Sequence, residues 1–183
     1  EIGNSTEFWP FPSRHLWNDA DIKRISIMPE AVHRHGALAG VELGHVGVAA
    51  GNRASRTPPL GPTSRLTLEP VEPFQSKMMD KQDIKTVREQ HIAAAVRAKR
   101  AGFDIIYAYA AHGLSIFSQF LQTGYNTRSD EYGGSLENRA RLLREVLEGM
   151  KEAVGDTCAV AFRFAVNEID RNLVQGQELV EML

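Results

Sequence analysis

Tyr109 and His112 stand three residues apart in Tyr109-Ala110-Ala111-His112-Gly113, at the end of the apolar run that starts at Phe103. A phenol and an imidazole at this spacing suit proton handling. The phenol offers a hydrogen bond and, once deprotonated, a charged oxygen; the histidine can orient it and respond to pH near neutrality. Two more charged residues close apolar runs, Glu42 in Gly40-Val41-Glu42-Leu43 and Arg163 after Ala159-Val160-Ala161-Phe162. An arginine in such a run needs an acceptor, because burying its charge alone is prohibitive. The plainer reading of Glu42 and Arg163 is therefore a salt bridge between them. His45 lies two residues into the following loop, where the plainer reading is a solvated ring. No metal ligand triad is needed to account for this set.

The elements that must position these side chains can be read from caps and periodicity. Residues 1–18, with Pro10 and Pro12, predict a loop running into a helix near Asn18 or Asp19. That helix carries Ile22, Ile25 and Val32 and ends near His35-Gly36, where glycine supplies a left-handed cap. A short strand Ala37–Leu43 follows. From Gly44 to Met79, Pro58, Pro59, Pro62, Pro70 and Pro73 predict a long irregular loop, and long loops in compact domains are usually functional. Asp80 caps a helix to about Ala101 with Ile84, Val87, Ala94 and Ala98 on one face. Phe103–Tyr109 is the next strand.

Ser135 caps a helix whose Leu136, Ala140, Leu143, Leu147, Met150 and Val154 draw one apolar stripe. Its solvated face offers i,i+4 pairs Glu137–Arg141 and Arg144–Glu148. Cys158–Phe164 is a third strand, and a further helix begins near Gln175. The Gly133-Gly134 pair and the capped helix make the block from Asn126 to Arg139 a sharp loop-to-helix joint without catalysis. His91 and Cys158 read as buried packing residues, His33 and His35 as surface residues. Trp9 and Trp17 read as packing residues, with a pocket wall as the alternative.

Alternating helices and strands at this spacing imply right-handed βαβ units and a parallel sheet buried on both faces. No Gly-x-Gly-x-x-Gly follows any strand, so a dinucleotide-binding open sheet loses its main support, although alternation alone does not separate barrel from open sheet. In a parallel α/β barrel, active sites are built from the C-terminal strand ends. Glu42, Tyr109 with His112, and Arg163 would then converge on one rim.

Composition narrows the partners. At 43% hydrophobic and 24% charged the chain falls in the ordinary globular range. A net charge of -2 with interspersed signs argues against nucleic acid or an anionic membrane as partner, leaving small molecules. No apolar run approaches a membrane span. The single cysteine, Cys158, excludes an internal disulfide and fits a reducing, cytoplasmic setting. Glu1-Ile2-Gly3-Asn4-Ser5-Thr6 lacks both an initiator Met and the basic start of a signal peptide, which predicts a chain that begins within a longer protein.

Three stretches, Gly36 to Leu43, Ala101 to His112 and Tyr132 to Arg141 continuing to Arg163-Phe164, resemble the old yellow enzyme superfamily of NADH:flavin oxidoreductases. Within it they are most similar to the trimethylamine and dimethylamine dehydrogenase branch of N-methyl-amine demethylases. The resemblance implies an FMN-binding TIM barrel, a (β/α)8 fold of which residues 1–183 form an internal fragment lacking the first and last strands. Such a fragment, short of the roughly 250 residues of a barrel, exposes two sheet edges and is expected not to fold stably alone.

The same resemblance assigns roles. Arg163 matches an arginine beside the flavin pyrimidine ring, Glu42 a position where many relatives place a glutamine on that ring's edge, and His45 a frequent family histidine. Ene-reductases carry His-x-x-His or His-x-x-Asn where this chain has Tyr109-x-x-His112, which favours oxidation of a secondary or tertiary methylated amine by hydride transfer to FMN. The resemblance further implies a relay aspartate beyond Leu183, an iron-sulfur cluster in a later region, an electron-transfer flavoprotein as acceptor and a homo-oligomeric assembly. Relatives often have an aromatic residue where Leu114 stands, which leaves the particular amine open. The alternatives are an NAD(P)H-dependent ene-reductase of the dienoyl-CoA reductase kind, and a flavin-binding barrel or truncated product without turnover.

Overall fold

The computed structural model describes residues 2, 15–50, 55–66, 75–167 and 169–183; most of the expected N-terminal loop and Trp9 lie outside them. In chain order its elements are α1 (Ala20–Ile25), α2 (Ile27–His33), β1 (Gly40–Leu43), β2 (Leu60–Gly61), β3 (Lys77–Met78), α3 (Lys81–Arg100), β4 (Ile105–Tyr109), α4 (Ile116–Leu121), α5 (Leu136–Val154), β5 (Ala159–Arg163) and α6 (Leu173–Met182).

The two long helices start where their caps dictate. Asp80 accepts the Asp83 N–H at 2.8 Å and donates its own N–H to the Asp83 carboxylate at 2.9 Å, a reciprocal cap for α3. The Ser135 hydroxyl accepts the Asn138 N–H at the start of α5. Ala94, Ala95 and Ala98 of α3 and Leu143, Val146 and Met150 of α5 share one core with Ile106 and Ala108 of β4. Each larger side chain fully buried there stabilises the fold by about 1.5–3 kcal/mol.

The sheet runs β1-β4-β5, all parallel. Its register aligns Gly40 with Ile105 and Ala159, Glu42 with Tyr107 and Ala161, and Tyr109 with Arg163. Strand side chains alternate faces. Ile106 and Ala108 therefore point into the helical layer, fully buried, while Glu42, Tyr107, Tyr109 and Arg163 line the opposite face. Parallel strands covered by helices on one side of a curved sheet are the layout of a TIM barrel, and this chain is a portion of one.

Helices α3 and α5 cover one face of the sheet; the other, which carries Glu42, Ala159 and Arg163, is the face a barrel turns towards its axis. Three expectations need correction. The first helix is broken at Ser26, because Pro29 has no N–H to give the Ile25 carbonyl and its ring crowds that turn. The span 44–79 is not wholly irregular; it contains a 3-10 turn at Gly47–Ala49 and the short parallel pair β2–β3. Helix α4 has no counterpart among the expected elements. Ser115 and Ser118 cap it reciprocally, but all six of its residues are buried, so it lacks the polar face that would betray a helix.

On the surface of α5, Arg144 pairs with Glu148 at 4.0 Å. Arg141 bonds the Glu131 carbonyl and the Asn138 side chain rather than Glu137. His91 and Cys158 are buried, and His33 and His35 exposed, as expected. Trp17 is partly buried and lines a groove between the start of α1 and α3. Among the described residues no helix is long and apolar enough to cross a membrane, and no group of three or more His, Cys, Asp or Glu side chains could hold a metal.

Candidate active site

Strand β4 ends by placing Tyr109 on the open face, and two buried alanines carry the chain to His112. His112 and Gly113 both adopt φ of +63°. For histidine this left-handed conformation costs roughly 1–2 kcal/mol, and such strain persists where surrounding structure imposes it. It turns the imidazole back over its own strand, where Tyr109 Oη and His112 Nδ1 lie 2.6 Å apart. A phenol and an imidazole in so short a bond share one proton position.

Arg163 arrives from β5 and Glu42 from β1, on either side of β4. The guanidinium reaches across the middle strand and donates Nη1 to Glu42 at 3.2 Å to Oε1 and 3.4 Å to Oε2. Its Cζ lies 5.9 Å from the centre of the Tyr109 ring. The acceptor demanded by the sequence is thus Glu42. Within this portion of the barrel the two side chains are 52% and 41% exposed. A carboxylate beside a forked N–H donor on an accessible face complements the edge of a planar ring that alternates N–H and C=O groups.

His45 does not join this exposed cluster. It is buried, at 1% exposure, and not solvated. Its Nδ1 accepts the Gly47 N–H at 3.0 Å, and Nε2 is buried with no hydrogen-bond partner. Burial first, and the neighbouring His91 second, push its pKa down to about 3. The ring is therefore neutral at ordinary pH, and with Nδ1 accepting, its hydrogen sits on Nε2.

The Asn126–Arg139 block holds structure. Arg128, almost fully buried, donates to the carbonyls of Met79 at 2.7 Å and Pro62 at 3.3 Å and forms a fork with Asp130 at 2.9 and 2.6 Å. Its guanidinium holds the Asp130 carboxyl well below the usual carboxylate range. Asn126 bonds the carbonyls of Phe120 and Tyr132. Arg139 bonds those of Leu121 and Gly134 and the Gln175 side chain. What sequence reading missed is α4, whose Ile116 N–H donates to the His45 carbonyl at 2.7 Å and whose Gln119 is buried between loops. The available signal was Ser115 ahead of Ile116-Phe117, a cap before an apolar pair.

Comparison with known proteins agrees with this fold. Residues 11–182 match the model of the NADH:flavin oxidoreductase / NADH oxidase family. The chain is 36% identical over 171 residues to dimethylamine dehydrogenase of Hyphomicrobium sp. (strain x), covering 91% of this chain and 23% of that protein. It is 37% identical over 153 residues to NADPH dehydrogenase of Listeria monocytogenes serotype 4a, covering 83% of this chain and 42% of that one. The chain thus spans less than half the length of either relative. The structure of 6-hydroxypseudooxynicotine amine oxidase from Pseudomonas geniculata N1 superposes with a TM-score of 0.94 at 45% identity, over 100% of this chain and 28% of that one. A parallel barrel segment with a polar rim, matched along nearly its whole length, makes this chain a member of the NADH:flavin oxidoreductase / NADH oxidase family.

Proposed function

We propose that this chain carries the catalytic rim of an FMN-dependent dehydrogenase that oxidises a methylated secondary or tertiary amine to an iminium, which water then hydrolyses. The observation that carries the reading is the 2.6 Å bond between Tyr109 and His112 at the end of β4. An ammonium ion has no lone pair to assist departure of a hydride from the adjacent carbon, so the amine must be held neutral. Tyr109 Oη, backed by His112 Nδ1, is a proton acceptor suited to that task. Arg163, 5.9 Å from the ring centre, offsets negative charge on the phenol.

The family implies FMN, and the residues fit it: Glu42 and Arg163 offer the acceptor and donors that the flavin pyrimidine edge requires, whereas His45, the third candidate contact, is buried with Nδ1 engaged by Gly47 and supports the loop behind them. When bound, FMN supplies a two-electron acceptor. The fixed cation of Arg163 would favour negative charge on the ring beside it. Onward transfer through an iron-sulfur cluster to an electron-transfer flavoprotein, a relay aspartate and a homo-oligomeric assembly complete the proposal for the whole protein.

A second reading, an NAD(P)H-dependent ene-reductase, draws support from the similarity to NADPH dehydrogenases. It is disfavoured by Tyr109, since two nitrogen donors suit polarisation of a substrate carbonyl better than a phenol. Anaerobic flavin absorbance separates the two, with dimethylamine, trimethylamine, an N-methylated amino acid and NADPH added in separate cuvettes. Bleaching by an amine alone supports the dehydrogenase. Bleaching by NADPH only, reversed by an enone, establishes the reductase instead.

A further inference from the structure

We propose that Gln119 is a positioning residue that ties the loop after β1 to the loop after β4, so that the Tyr109–His112 bond forms only while both loops are joined. The inference rests on the role given above to that pair. Gln119 is fully buried, and its amide bonds both loops. Its Oε1 accepts the Val48 N–H at 3.0 Å, and its Nε2 donates to the Val46 carbonyl at 3.0 Å and the Gly113 carbonyl at 3.3 Å. Val46 and Val48 flank Gly47 in the loop that holds His45; Gly113 follows His112. One side chain thus closes a bridge between the segments carrying two of the candidate site residues.

The bridge is built into both loops. Gly47 sits at φ +59°, and a side-chain carbon there would collide with the Gln119 amide, so the first loop is wrapped around this group. On the second loop, His112 and Gly113 are both left-handed, a conformation uncommon outside glycine and held here from either side. Tyr109 fixes the ring; Gln119 fixes the carbonyl one residue on. The Ile116 N–H, bonded to the His45 carbonyl, adds a second tie from the same short helix. Without the Nε2 donors, the Gly113 and Val46 carbonyls would be buried without these bonds. Loops in that state open to recover their hydrogen bonds from water.

The test is a mutant cycle in the FMN-loaded full-length protein. The pH titration of the Tyr109 phenol is followed by absorbance, assigned by difference from Tyr109→Phe. We expect His112→Gln to move that titration by about one pH unit or more in the parent and by much less in Gln119→Leu, where the two rings are already apart. Amine-driven bleaching should slow at least about tenfold in Gln119→Leu, with little further loss on adding His112→Gln. An equal shift in both backgrounds, with rate losses that multiply, would overturn the proposal and leave Gln119 a packing residue. Should Gln119→Leu not fold, Gln119→Glu keeps the shape and the Val48 acceptor but removes the donors. It should show the same loss of coupling, because the carboxyl is ionised throughout the range in which the phenol titrates. If no amine bleaches the flavin, the amine reading fails, yet the titration cycle still decides the role of Gln119.

Discussion

Arg128 and Arg163 are the same residue built into opposite designs. Arg128 is buried, and its guanidinium is engaged by two backbone carbonyls and a forked carboxylate. Arg163 stands half exposed on the open face of the sheet with one carboxylate beside it at 3.2 Å. A saturated, buried arginine fixes the chain around it, since any departure strands a charge and several carbonyls. An arginine that gives one nitrogen to a carboxylate keeps its other N–H groups for a different acceptor. The contrast extends to their surroundings. Asn126 and Arg139 bind backbone, whereas Glu42, Tyr109 and His112 bind each other's side chains or Arg163.

The largest effect should come from breaking the closed design. Arg128→Leu leaves Asp130 without its main partner and should cost about 3–5 kcal/mol in denaturant unfolding of the protein. Arg163→Leu should change the same measurement by no more than about 1 kcal/mol while weakening flavin binding or reduction. Equal destabilisation by the two would erase the distinction. On the open face, Tyr109→Phe should slow amine-driven bleaching about 10²–10⁴-fold with little change in melting temperature.

A graded effect comes from the buried histidines behind the site. Burial pushes His91 down from 6.5 to about 4, and burial with His91 pushes His45 down to about 3. Unfolded imidazoles take up protons below about 6.5, while the folded ones stay neutral until pH falls to those lowered values. The unfolded state therefore binds the extra protons, and stability should decline as pH drops from 6.5 towards 4, by up to about 1.4 kcal/mol per pH unit for each ring. Replacing His91 with Phe should flatten that slope by about half. The smallest effect tests the solvated surface: Arg144→Ala removes a 4.0 Å contact with Glu148 and should change stability by less than about 0.5 kcal/mol.

By itself the sequence determined whatever depends on neighbours along the chain. Asp80 and Ser135 are caps because their side chains bond an N–H three residues on, and the stripe on α5 is a stripe because residues three and four apart share a face. Tyr109 meets His112, three residues away, through one local turn. Even the Glu42–Arg163 pair was legible, since parallel strands in order carry their ends to one rim and a charge in an apolar run needs its opposite. The break at Ser26 was also local, written in Pro29. Tertiary structure alone decided that His45, in a polar-looking loop, is buried beside His91, and that a short helix without a polar face carries Gln119 between two loops. Those outcomes depend on segments some 45 to 75 residues apart meeting in space, and burial belongs to the meeting, not to either partner's own pattern.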